Sequence, residues 1–306
     1  MPADRSRLAF VAIAVAVATW GCSNVMIKAV PVSGPVASFY RLWLALPLLW
    51  LVPLLHAPAR ARFDRNLLRA ALIGGSLFAL HQIFFFNALK TTTVSNVALI
   101  GALQPPLVLL VARQWFGETA TRGAILWSLV ALAGAATVVA GANGLPGWNP
   151  FGDLLAVANL FAFTAYFLTT KRLRDRAGAT EYTIGMTTVA GLIMLAVCLV
   201  SRQPLLSPQG WEWAVLFALA LFPGTLGHFL ASWAYPHLSA FTVSIMFLAT
   251  PVVACLGAAI FLGEVLRPVQ LVGAAVVLLA VGAVVLSQPA RRGEELAESV
   301  AETEAP

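Results

Sequence analysis

Residues 213–263 read WAVLFALALFPGTLGHFLASWAYPHLSAFTVSIMFLATPVVACLGAAIFLG, a run of 51 without an Asp, Glu, Lys or Arg. A membrane-crossing helix needs about 20 apolar residues, because the hydrocarbon core is about 30 Å thick and an α-helix rises 1.5 Å per residue. The run therefore holds two such helices, divided at Tyr235-Pro236-His237. Further charge-free windows lie at 8–27, 42–59, 70–89, 91–112, 123–152, 154–170, 182–201 and 268–290. Each has the length of one helix. The spacing predicts an all-α integral membrane protein of ten transmembrane helices in 306 residues, with short loops and no room for a soluble domain.

Composition agrees. The chain is 60% hydrophobic and 10% charged, against about 45–50% and about 25% for soluble domains. Arg5 and Arg7 before the first window, and Gly21-Cys22 near its end, imitate a lipoprotein signal. Trp20 does not fit the small-residue cleavage site, and the apolar run is long for a signal, so a retained first helix is expected. Cys22, Cys198 and Cys255 fall inside windows without metal spacing and read as packing residues. No metal site or cofactor is expected.

Lys and Arg alternate between the loops. Fourteen lie at the termini and in the loops after the second, fourth and sixth helices; only Lys28, Lys90, Arg202 and Arg267 lie on the other side, and Arg41 is inside the second helix. The positive-inside rule then puts both termini in the cytoplasm. The basic balance reports orientation in a bacterial inner (plasma) membrane, not a nucleic-acid partner. Asp153, Glu181 and Glu212 stand at helix starts, where the helix dipole favours acids. The tail after Arg292, with five Glu among small residues, is too polar to bury a core and reads as disordered.

Shifted by 146 residues, the chain aligns with itself. Residues 80–139 against 226–285 give twelve identities; Pro105 falls on Pro251, Gly117-Glu118 on Gly263-Glu264, and Ala88 on Ala234. Each half has five helices. Five is odd, so the second half enters the membrane from the opposite face. The expected organisation is a cytoplasmic N-terminus over 1–7, one repeat over 8–147, an inverted repeat over 148–288 and a cytoplasmic tail over 289–306. Inverted repeats suit alternating access, with the substrate near the midplane where matching helices are interrupted. Candidate interruptions are Gln104-Pro105-Pro106 and Thr250-Pro251, with Gly74-Gly75-Ser76 and Pro223-Gly224-Thr225 as a second pair. A proline frees a backbone carbonyl, which in a membrane must be re-satisfied or face a cavity. Pro105 and Pro251 are thus candidate gating positions, or plain kinks.

Two five-helix halves, each with a mid-helix proline twelve residues before a Gly-Glu at the helix end, resemble the EamA family of the drug/metabolite transporter superfamily. Pro35-Val36-Ala37-Ser38-Phe39-Tyr40-Arg41 is similar to the family's entry to its second helix, and Trp20-Gly21-Cys22-Ser23-Asn24 to its first. The resemblance covers residues 8–288 and implies a ten-helix carrier of amino acids or other metabolites. Within the family the chain looks most like the aromatic amino-acid exporters. The resemblance brings Ser23 and Tyr40 into the candidate path and implies a structural role for the Gly-Glu pairs.

Polar groups inside membrane helices are costly and mark function by default. Trp20, Asn24 and Lys28 share one helix face, as do Asn159, Phe163 and Tyr166; His81 and Phe85 share another with Gln82 beside them, and Asn96 and Gln104 a fourth. His228, Thr250 and Arg41 complete the candidates. Arg41 either binds a substrate carboxylate or locks two helices, and the amides either hold ligand or hold helices together. Lys28 can snorkel from a helix end, and Trp148, Trp211 and Trp213 read as interfacial. No Asp or Glu interrupts a window, so proton coupling would need His81 or His228. A cavity of aromatics and amides suits a zwitterion with an apolar side chain. Paired Asp motifs, HExxH and phosphate loops are absent, which argues against an enzyme. The expected activity is export of neutral or aromatic amino acids, or else of other small metabolites, drugs or phosphorylated metabolites, by a monomer or weak homodimer.

Overall fold

The computed structural model describes residues 2–55, 65–92, 94–118, 120–142, 149–174, 178–262 and 267–287. The acidic tail, Trp148, Gly263-Glu264 and the side chains of Asn96 and Cys255 lie outside the described residues.

Every element is helical among the described residues. The helices are α1 (Pro2–Ala29), α2 (Gly34–Leu55), α3 (Arg65–Thr91), α4 (Val94–Gly101), α5 (Gln104–Phe116), α6 (Arg122–Ala142), α7 (Pro150–Arg174), α8 (Ala179–Val200), α9 (Glu212–Leu219), α10 (His228–Ala234), α11 (Ala240–Met246), α12 (Thr250–Leu262) and α13 (Pro268–Ser287). A π-helical turn, Ala220–Gly227, joins α9 to α10, so Glu212–His237 runs as one membrane-length stretch. Arg5–Ala29, Arg65–Thr91, Pro150–Arg174 and Ala179–Val200 are likewise long and apolar enough to cross a membrane. Shorter apolar stretches occur at Arg122–Thr137, Ala240–Ala254 and Pro268–Val284. The outer surface carries Leu110, Leu126, Leu129, Phe161, Leu271 and Leu279, all exposed. Water would not tolerate such a surface; lipid does, and this is a multi-pass membrane protein.

The fourth charge-free window is two helices. α4 stops at Gly101, the chain turns through Ala102-Leu103, and α5 begins at Gln104 with Pro105 in its first turn, where a proline leaves no helical bond unmade. The same break recurs 146 residues later. α11 ends at Met246, Phe247–Ala249 tightens to a 3₁₀ turn, and α12 begins Thr250-Pro251.

The glycine pair does not behave this way. Gly74-Gly75-Ser76 was expected to interrupt its helix, yet α3 runs unbroken from Arg65 to Thr91. A glycine keeps its N–H and so leaves the helical ladder intact. These two serve close packing instead. A Cβ on Gly75 would lie 2.6 Å from the Cβ of Val189 and 2.8 Å from the Met186 carbonyl oxygen of α8, and one on Gly74 would strike the Tyr182 hydroxyl. Only the partner motif, Pro223-Gly224-Thr225, distorts its helix, into the π turn.

α3 packs on α7 and α8, α2 on α8, α6 along α13, and α1 on α12, α10 and the π turn. Opposite ends of the bundle are tied differently. At one end Lys28 donates to the Thr92 carbonyl (2.9 Å), Lys90 donates to the Val30 carbonyl, and the Thr92 hydroxyl donates to Asp153 (2.8 Å). At the other end Gly117 adopts φ +65° and closes α5. This left-handed position favours glycine, and it turns Glu118 toward the start of α11. Glu118 accepts from the Ala240 and Phe241 N–H groups (2.9 and 3.2 Å) and pairs with Lys171 at 3.6 Å. Lys171 also donates to the carbonyls of Tyr235 (3.0 Å) and Leu238 (2.6 Å). The carboxylate satisfies N–H groups that a helix start leaves open, the structural role expected of Gly117-Glu118.

Candidate transport site

The breaks at 101–104 and 247–250 open onto one cavity of about 120 Å³. The space admits several waters or one small organic molecule. Trp20, Ser23 and Asn24 come from α1, Arg41 from α2, and His81 and Phe85 from α3. Asn159 and Phe163 come from α7, His228 from α10, and Gln104, Thr250 and Pro251 from the two helix restarts.

Four aromatic rings form a cage. Trp20 lies 6.3 Å from Phe163 and 5.4 Å from Phe247, and Phe163 lies 5.7 Å from Phe247. Phe85 is 5.4 Å from His81, which is also 4.9 Å from Phe163. These are the separations at which offset and edge-to-face ring pairs are favourable. His81 Nδ1 lies 2.6 Å from Asn159 Oδ1. An amide oxygen only accepts, so Nδ1 donates, and Nε2 has no partner among the described residues.

His228 stands between an arginine and a tyrosine. Nη2 of Arg41 lies 3.0 Å from His228 Nε2, and Tyr166 Oη lies 3.2 Å from Nδ1. A guanidinium only donates, so Nε2 accepts and Nδ1 carries the proton toward Tyr166. Arg41 also donates through Nη1 to Gln82 Oε1 (2.9 Å) and through Nη2 to the Pro223 carbonyl (3.3 Å). That carbonyl, in the π turn, also accepts from Trp20 Nε1 at 3.2 Å. The distorted turn thus anchors two cavity side chains.

Several candidates stand elsewhere. Gln82 and Tyr166 lie behind the wall, where they hold Arg41 and His228. Tyr40 faces a helix end, donating to the Leu205 carbonyl (2.7 Å) with its ring 4.9 Å from Trp213. Pro105 lines a second, mostly apolar pocket with Pro106, Leu109 and Phe241. Lys28 is held at the Thr92 carbonyl, away from the cavity. Sequence reading missed Phe247, Val97, Ala98, Gly101, Ala102 and Leu160 on the wall. Phe247 had a signal: it falls on Gly101 under the 146-residue shift, at the other helix break.

The sequence profile of the EamA-like transporter family fits residues 7–140 and fits again over 150–286. The chain is similar to the aromatic amino acid exporter YddG of Ancylobacter novellus, 28% identical over 152 residues. That match takes in 49% of this chain and 52% of the relative, about half of each. A crystal structure of another protein superposes with a TM-score of 0.77 over 95% of this chain and 99% of its own, at 20% identity. It shows the fold alone.

Proposed function

The chain belongs to the EamA-like transporter family, and on that premise we propose that it exports neutral, chiefly aromatic, amino acids by alternating access. The observation that carries this reading is the cavity. Trp20, Phe85, Phe163 and Phe247 offer ring faces to an apolar side chain, while Asn24, Gln104, Asn159 and His81 offer hydrogen bonds to a polar head. Such a site, mostly apolar with few placed polar groups, is what small-molecule binding requires. A phosphorylated substrate would call for several cations, and Arg41 is the single Lys or Arg on the described wall.

The transport reading includes an organisation of ten spans in two inverted repeats, 8–147 and 148–288, in a bacterial inner membrane with both termini cytoplasmic. The packing supports it. Contacts recur between the elements 146 residues on: α3 with α7 corresponds to the π turn and α10 with α1, α4 with α7 to α11 with α1, and α5 with α7 to α12 with α1. The pairs α2–α8 and α6–α13 correspond to themselves, as elements on a pseudo-two-fold axis do. In this reading the ties at Lys28–Thr92 and at Glu118–Lys171 close opposite faces in turn.

The test is labelled phenylalanine uptake by proteoliposomes of the purified protein, with and without an imposed pH gradient. Saturable uptake, competed by tryptophan and reduced about tenfold or more in Trp20→Ala and His81→Ala, is expected. Uptake that needs the gradient assigns coupling to His81 and His228. Absence of uptake under both conditions removes aromatic amino acids as substrates.

A further inference from the structure

We infer that Arg41 is the cavity's anion selector: a substrate must bring a carboxylate to this guanidinium, and a compound that lacks one is refused. The inference rests on the transport reading above and narrows its substrate class.

Arg41 is 3% exposed and lines the cavity. Its three hydrogen-bond partners are Gln82 Oε1, the Pro223 carbonyl and His228 Nε2. All are neutral acceptors. A ring face, that of Phe86 at 5.6 Å, is the remaining contact. No Asp or Glu stands on the described wall of the cavity. The acids whose side chains are described are held elsewhere: Glu118 at the start of α11 and Asp153 against Thr92, with Glu181 and Glu212 in first turns of their own helices. The guanidinium is therefore a buried positive charge with no counter-ion among the described residues.

A purely structural lock does not need that charge. A neutral donor can tie α2 to α3 and to the π turn, whereas a buried unpaired charge is strongly penalised. The orphan atoms point the same way. Nε of Arg41 is buried without a partner among the described residues. So is Nε2 of Gln104, a second donor on the wall, while Oδ1 of Asn24 is an orphan acceptor. Two donors suit a carboxylate, and the acceptor suits an ammonium. A guanidinium is also the group best shaped to grip a carboxylate.

The experiment measures binding to the purified full-length protein in detergent by isothermal titration calorimetry. The ligands are matched sets: phenylalanine, 3-phenylpropionate and phenethylamine, then leucine, 4-methylpentanoate and isopentylamine. The expected result is binding of acids and zwitterions and none of amines, in whichever set binds. Arg41→Lys should weaken the binding members by about tenfold or more, since an ammonium loses the guanidinium's geometry. A thermal melt checks that this variant is folded, and the wild-type comparison needs no variant.

Binding confined to the leucine set would sink the aromatic reading and leave the selector standing. Amines that bind as tightly as their acids overturn the selector while leaving a transporter of that side chain. A panel in which no carboxylate binds overturns it outright.

Discussion

Nδ1 of His228 has only the Tyr166 oxygen to bond, because Arg41 occupies Nε2. Tyr166→Phe removes that acceptor and strands a buried donor. An unsatisfied buried polar group costs about 1–3 kcal/mol, so the variant should melt lower in detergent by that amount, with its secondary structure unchanged by circular dichroism. At this scale the sequence was partly legible. Any polar residue in a membrane helix is conspicuous, and Trp20, Asn24, Arg41, His81, Asn159 and His228 do meet at one cavity. Tyr40, Gln82 and Tyr166 were equally conspicuous and stand off it. Helical spacing assigns residues to a face of their own helix, but it does not say whether that face meets an open space or a neighbour. Aromatic and small lining residues such as Phe247 and Gly101 carry no polar flag at all.

Helices were the most legible level, since membrane thickness fixes their length. Their internal breaks were half legible. The chain breaks ahead of Pro105 and Pro251, although α2 runs on through Pro47 and Pro53; a glycine keeps its N–H, and the Gly74-Gly75 expectation failed because that pair leaves the ladder of α3 intact. A contrast follows. Gly75→Val places methyl groups where Val189 and the Met186 carbonyl already stand, and overpacking of this kind costs about 1–3 kcal/mol. Gly282→Ala in α13 meets nothing within 4 Å, and alanine favours a helix by up to about 1 kcal/mol. Thermal unfolding of the two variants should therefore shift in opposite directions. Equal shifts would refute the packing role of Gly75.

At the scale of the whole molecule, the 146-residue shift pairs Gln82 with His228, and both of these grip Arg41. It pairs Trp20 with Tyr166, which flank that same imidazole, Trp20 at 5.0 Å between ring centroids. The repeat could be read from prolines and Gly-Glu pairs, but this convergence on one arginine could not, because it depends on how the halves dock. The orientation proposed from the basic loops makes its own prediction: a C-terminal green fluorescent protein fusion fluoresces, and a C-terminal alkaline phosphatase fusion is inactive. The reverse pattern would invert the topology. Glu118→Ala removes the acceptor of the Ala240 and Phe241 N–H groups at the start of α11, leaving Ser239 as its cap, and removes the ion pair to Lys171. A loss of about 1–2 kcal/mol in thermal stability is expected.

Glu118 also sets a timetable. Its partners Ala240 and Phe241 lie 122 and 123 residues further along the chain. Synthesis at about 5–20 residues per second delivers them roughly 6 to 25 s after the glutamate has left the ribosome. For that interval the carboxylate, and Lys171 after it, must wait at the membrane boundary in contact with water or the insertion machinery. α6 waits longer still for α13. The first half of this protein is thus born as an unfinished surface, and its assembly is completed by the arrival of the second rather than by its own folding.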